Sequence, residues 1–92
     1  MANGRFPLGQ VVSTAGALNA LLRADQDSWE FLTHHVSGDW GELDDHDRRE
    51  NDRSLNEGCR LLSAYTLTDG TRIWIITEAD RSSTCILLPE EY

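Results

Sequence analysis

Apolar residues gather in short dense blocks at 18–22, 61–65, 73–76 and 86–88, separated by longer polar stretches. In the first block Leu18, Leu21 and Leu22 share one helical face at i, i+3 and i+4, and Thr14 stands where an N-cap belongs. That spacing predicts a helix ending near Ala24, preceded by a short strand over Leu8 to Ser13. Asp27 followed by Glu30 has the form of a capping box, and Trp29, Leu32 and Val36 line one stripe, predicting a second helix over 28–36. Gly38 and Gly41, with Trp40 between, end it in a turn.

From Glu42 to Glu57 the chain is almost wholly polar. Asp44/Arg48 and Asp45/Arg49 are acid-first i, i+4 pairs that support a third helix, with Leu43 and Leu55 as its anchors and Gly58 as its stop. The remainder reads as sheet: 60–67, a turn at Asp69-Gly70, 72–77, a polar loop and 83–88. A two-residue type I′ turn would pair Tyr65 with Trp74 and Ala64 with Ile75. One face then carries Leu62, Ala64, Ile73 and Ile75, and the other Leu61, Tyr65, Trp74 and Ile76.

The expected architecture is α+β: a short N-terminal strand and two to three helices packed on a three-stranded antiparallel meander. Residues 1–7 read as a flexible arm and 8–92 as a single domain, since 92 residues build one core. Both faces of the meander are apolar, so an open patch containing Tyr65 and Trp74 is expected on the side the helices leave bare.

Charge narrows the partners. Sixteen acidic against eight basic residues give a net charge of −8, which repels phosphate and argues against direct nucleic-acid binding or adhesion to anionic membranes. Every basic residue is Arg. No apolar run approaches the roughly 20 residues that cross a bilayer, and residues 1–7 lack the apolar run of a secretory leader. A cytoplasmic location is the expectation, with Cys59 and Cys85 reduced and buried beside apolar strands.

Candidate chemistry is sparse. His34, His35 and His46, near Asp39, Asp44 and Asp45, form the one grouping with metal-ligand side chains, the basis for a metal-dependent hydrolase as an alternative. Adjacent histidines on a helix diverge by about 100°, and no HExxH or CxxC spacing supports them, so neither metal nor cofactor is expected. No GxSxG elbow or glycine-rich phosphate loop is present, and no catalytic residue is assigned. The loop 78–82 is compact and charged, with solvation as its simplest reading and recognition as the other.

Several runs together resemble a family of small bacterial proteins known as plasmid-related proteins. They are Val11-Val12-Ser13-Thr14 with Gly16-Ala17-Leu18, residues 37–41, residues 60–65, residues 73–82 and residues 88–92. The resemblance implies carriage on plasmids or other mobile genetic elements and brings no activity or site residue with it. Ala15 departs from it, since similar sequences tend to place Pro at that first helical position.

The expected function is therefore that of a small acidic, non-enzymatic protein-interaction module, binding a protein partner or a second copy of itself as a homodimer. Its expected surface is Trp40, Tyr65, Trp74 and Ile76. A sharper alternative uses the segment 39–57, with eight acids against three arginines. There Asp44, Asp45, Asp47, Glu50 and Asp52 would imitate a phosphate backbone and occupy the basic groove of a defence protein.

Overall fold

The computed structural model describes residues 4–92. Its elements are β1 (Gln10–Ser13), α1 (Ala15–Ala24), α2 (Ser28–Val36), α3 (Asp45–Glu57), β2 (Leu61–Thr66), β3 (Arg72–Thr77), β4 (Ser83–Leu87) and a 3-10 turn, Pro89–Glu91. The α+β expectation holds, with a sheet that is mixed: β2, β3 and β4 form the antiparallel meander, and β1 joins it parallel to β4, giving the order β1-β4-β3-β2.

Local chemistry sets the helix ends. Thr14 caps α1 by accepting from the Ala17 amide at 3.1 Å, and Asp27 caps α2 by accepting from the Trp29 amide at 3.0 Å. The second half of the expected capping box does not form, because the Glu30 carboxylate accepts from Gln26 Nε2 instead. Asp44 caps α3, and Gly58 ends it in the left-handed region. This helix begins three residues later than expected because the Glu42 amide is held by the Ala64 carbonyl on the β2 edge. The two i, i+4 pairs are not ion pairs. Arg48 reaches the Gly41 carbonyl and Arg49 the Asp45 carbonyl, while Arg53 pairs with Glu50.

The hairpin differs from its expected register by one residue. Leu67 N donates to Thr71 O and Gly70 N to Leu67 O, so the loop holds three residues, Thr68, Asp69 and Gly70. Gly70 takes φ +91°, while Asp69 does not enter the positive region. A turn followed by a left-handed glycine is the usual three-residue solution. The extra residue pairs Tyr65 with Ile73 and Ala64 with Trp74. Because strand side chains alternate with period two, the shift moves β3 to opposite faces relative to β2.

Leu61, Ser63, Tyr65, Ile73, Ile75 and Thr77 therefore share one face with Thr84 and Ile86. Against it pack Ala17, Ala20 and Leu21 of α1 and Phe31 and Leu32 of α2. The other face carries Leu62, Ala64, Trp74, Ile76, Cys85 and Leu87. Helix α3 lies along the β2 edge, where Asn51 donates to the Leu62 carbonyl and accepts from its amide. A second cluster, Phe6, Trp40 and Leu61, closes the core beneath it.

Phe6 corrects the reading of a flexible arm over 1–7 for its described part, residues 4–7. Its ring is buried, stacked on Trp40 at 6.1 Å between centroids, and Arg5 N donates to Val36 O. Burial of an aromatic ring outweighs the Gly and Pro that read as loop. Met1, Ala2 and Asn3 lie outside the described residues.

Two glycines with positive φ separate backbone strain from packing. A Cβ at Gly70 meets nothing within 4 Å, whereas one at Gly41 (φ +77°) would overlap the Ala64 carbonyl and the Tyr65 ring. Gly70→Ala is expected to cost about 1 kcal/mol from the left-handed backbone alone. Gly41→Ala should cost about 2–4 kcal/mol, with overlap added to strain. Urea midpoints of the two variants check the ranking, and equal losses would contradict it.

Candidate functional site

A buried polar chain crosses the core at His35. Its Nδ1 lies 2.5 Å from Ser63 Oγ, its Nε2 lies 2.9 Å from Thr77 Oγ1, Thr77 Oγ1 lies 2.7 Å from Thr84 Oγ1, and Thr84 donates to the Leu8 carbonyl at 2.7 Å. The carbonyl can only accept, which fixes every proton in turn. Thr84 spends its hydroxyl hydrogen on Leu8, so Thr77 donates to Thr84 and His35 Nε2–H donates to Thr77. His35 Nδ1 is then the bare nitrogen, and Ser63 donates to it. The chain thus links the N-terminal segment, β4, β3, α2 and β2.

A serine hydroxyl hydrogen-bonded to an imidazole is the contact that activates a nucleophile. Here Ser63, His35, Thr77 and Thr84 are all fully buried. With both ring nitrogens engaged and no access for substrate, the arrangement satisfies polar groups and fixes the packing of α2 on the sheet. Burial pulls His35 down from its ordinary 6.5 to about 4, with the Arg81 guanidinium contributing in the same direction. The imidazole is neutral, as the proton order requires.

The three histidines do not converge. His34 Nδ1 meets Asp39 at 3.0 Å, and His46 Nδ1 meets Asp47 at 3.5 Å, both exposed pairs. Asp44, His46 and Asp47 do bring ligand atoms within 4.8 Å of one another on the exposed start of α3. Asp44 there is already engaged as the helix cap.

Several residues expected at the surface belong to the core. Trp40 is 4% exposed and its indole donates to Asp52 at 3.1 Å, while Tyr65 is 7% exposed and donates to the Asp39 carbonyl at 2.6 Å. Burial raises the Tyr65 phenol above its ordinary value. Ile76 is buried too, on the face away from the helices. The shifted register is the cause for Tyr65, which it places under α2, and the close packing of Phe6 is the cause for Trp40. Cys59 is exposed and Cys85 half-buried, correcting their reading as core thiols; both are free.

Loop 78–82 is braced rather than extended. Arg81, at φ +60°, donates from its guanidinium to the carbonyls of Ser54, Cys59, Glu78 and Ala79 and lies over the Phe6 ring at 5.8 Å. Those contacts fasten the end of α3 to the β3–β4 loop.

Two of the expected surfaces remain. On the helix-free face Leu62, Trp74 and Cys85 are half-buried, and Tyr92 lies edge-on to Trp74 at 5.7 Å with its hydroxyl accepting from Arg60. On α3, Asp45, Asp47, Glu50 and Asp52 are exposed, and Asn51 is its buried residue. No helix of the described residues is long and apolar enough to cross a membrane.

Ser63 sits inside an apolar block and Thr77 and Thr84 border two others, so their hydroxyls do not stand out in the sequence. The signal was there: each is a hydroxyl at a core-facing position of a strand, where an apolar residue is the default, and a histidine on the facing helix is their natural partner. Compared with protein-family models, with curated proteins and with solved structures, the chain matches none.

The His35 chain sets a pH dependence. A group whose protonation is suppressed on folding leaves the unfolded state binding more protons between the two pKa values, so stability falls as pH drops. The loss begins near 6.5 and is complete near 4, amounting to about 3 kcal/mol. His35→Gln keeps one acceptor and one donor without titrating. Its urea midpoint should therefore fall less between pH 7 and pH 4.5 than that of the unaltered protein; parallel losses would contradict the assignment.

Proposed function

We propose that this protein is a non-enzymatic protein-interaction module whose partner docks on the helix-free face of the sheet, around Leu62, Trp74 and Cys85. The observation that carries the reading is uneven cover: α1 and α2 pack on one apolar face, while the other is crossed by the Pro89–Glu91 turn and Tyr92. Leu62, Trp74 and Cys85 are half-buried there beside the buried Ala64, Ile76 and Leu87, and apolar and aromatic side chains grouped on one face are what interfaces use. A net charge of −8 disfavours nucleic acid, membranes and a second copy alike, so the occupant is a different protein with an apolar patch of its own. The resemblance to plasmid-related proteins supports a cytoplasmic accessory role on a mobile genetic element.

Trp74 tests this reading because its ring is half-buried. Trp74→Ala should lower stability by about 1–2 kcal/mol, short of the 3–5 kcal/mol of a core aromatic. It should also abolish retention of the partner that the unaltered protein draws from its native host. Full retention by the folded variant would refute the proposed face, and concentration-dependent sedimentation of the protein alone would make the partner a second copy.

A second reading rests on α3, attached through Asn51 and Leu55 with its carboxylates outward. As a phosphate mimic it would bind the DNA groove of a basic protein with strong salt dependence. Replacing Asp45, Asp47 and Glu50 by their amides should then remove binding to that protein; unchanged binding would leave α3 as a solvated face.

A further inference from the structure

The two edges of the sheet are finished differently. On the β2 edge, Ala64 exchanges hydrogen bonds with Trp40 and Glu42, and Leu62 exchanges them with Asn51. On the β1 edge, Gln10 N donates to Ser82 O and Thr14 N to Ile86 O, which turns the even-numbered amides toward β4. The amides and carbonyls of Val11 and Ser13 therefore point away from the sheet, and none has a partner among the described residues. Proteins commonly blunt such an edge with lysine, proline or a bulge. Here it reads Gln10-Val11-Val12-Ser13, uncharged, with Val11 36% and Val12 43% exposed.

Beside this edge lies a groove of about 690 Å³ between the N-terminal segment and α2, walled by Phe6, Leu8, Val11, Trp29, Leu32 and Val36. The stripe Trp29, Leu32, Val36 seen in the sequence lines this groove; Leu32 in it is buried, as are Phe31 and His35. Trp29 is 58% exposed. Val11 pairs with Thr84, whose side chain enters the core, so Val11 projects to the same side and joins the lining of the groove. A strand laid along β1 would direct the side chain opposite Val11 into that groove.

We infer that the β1 edge and this groove receive an extended segment of a partner polypeptide, added as a fifth strand with an apolar side chain against Trp29. Unpaired backbone groups specify an extended backbone and the groove an apolar anchor; the net charge of −8 favours basic residues flanking that anchor, beyond Arg5, the one charged residue that lines the groove. A strand of four residues offers too little area to hold two folded copies together through this edge alone. The inference rests on the interaction reading but uses a surface separate from Trp74.

The test selects a random-peptide display library on the whole protein and measures amide exchange with the enriched peptides bound. Those peptides should alternate apolar and polar residues between basic ones, and should slow exchange at Val11 and Ser13 by about tenfold or more. Their affinity should fall about tenfold or more in Trp29→Ala and in Val11→Pro, and hold in Trp74→Ala. Proline at 11 removes an outward amide and leaves the bonds to β4 intact. Melting followed by circular dichroism establishes folding, and if Val11→Pro is unfolded, the exposed Trp29→Ala decides. Absence of enriched peptides, or protection away from β1, overturns the inference. Loss of peptide binding in Trp74→Ala alone overturns it too, in favour of the sheet face. Concentration-dependent protection of Val11 and Ser13 without peptide overturns it in favour of a second copy.

Discussion

The register of the β2–β3 hairpin decides which side chains this protein can show to a partner. With three residues in the loop, Ala64 stands opposite Trp74 and Tyr65 opposite Ile73. Tyr65 is thereby sent beneath α2, where its ring packs against Phe31 at 5.5 Å, while Trp74 is sent to the face the helices leave. A loop shorter by one residue would put both aromatics on one side and leave α1 and α2 a different surface to cover. Gly70 makes the longer loop possible by taking the left-handed conformation that closes it.

Once the faces are assigned, the core-facing hydroxyls of β2, β3 and β4 require partners, and α2 supplies one in His35. The resulting chain ends on Leu8, ahead of β1, and so ties the N-terminal segment to the sheet. Phe6 then fills the space between His35 and Trp40, edge-on to the first at 5.2 Å and stacked on the second. Arg81 lies over the Phe6 ring and holds the end of α3. A polar chain of this kind is stabilising only when complete, and here every buried side-chain nitrogen and oxygen among the described residues has a partner.

Much of the fold was legible in the sequence because it is written locally. The caps Thr14 and Asp27, the stop at Gly58 and the three apolar strands act within a few residues of themselves, and all appear where the sequence places them. The register was not legible, since Asp-Gly suits a two-residue turn and, with Asp69 outside the positive region, a three-residue one equally well. Nor was the parallel seating of β1 on β4, a pairing across about seventy residues that no local pattern encodes. The same limit explains the surface. Trp40 and Tyr65 look like exposed anchors until Phe6 and α2 are placed on them, and Trp29 looks like core until the sheet turns out to be covered by Phe31 and Leu32. Of the candidate site, the acids of α3 are exposed as their composition suggests, whereas Trp74 is half-buried, its face set by the register and its ring met edge-on by Tyr92.

The register is measured most directly by nuclear Overhauser contacts between α-protons across β2 and β3. In an antiparallel sheet these protons approach closely at the pairs that do not exchange backbone hydrogen bonds. Leu62 and Ala64 send their amides outward to Asn51 and Trp40, so the close pairs here are Leu62 with Ile76, Ala64 with Trp74 and Thr66 with Arg72. A strong α-proton contact between Ala64 and Trp74 is the result this account requires. A contact of Trp74 with Tyr65 in its place would return both aromatics to one face and contradict it.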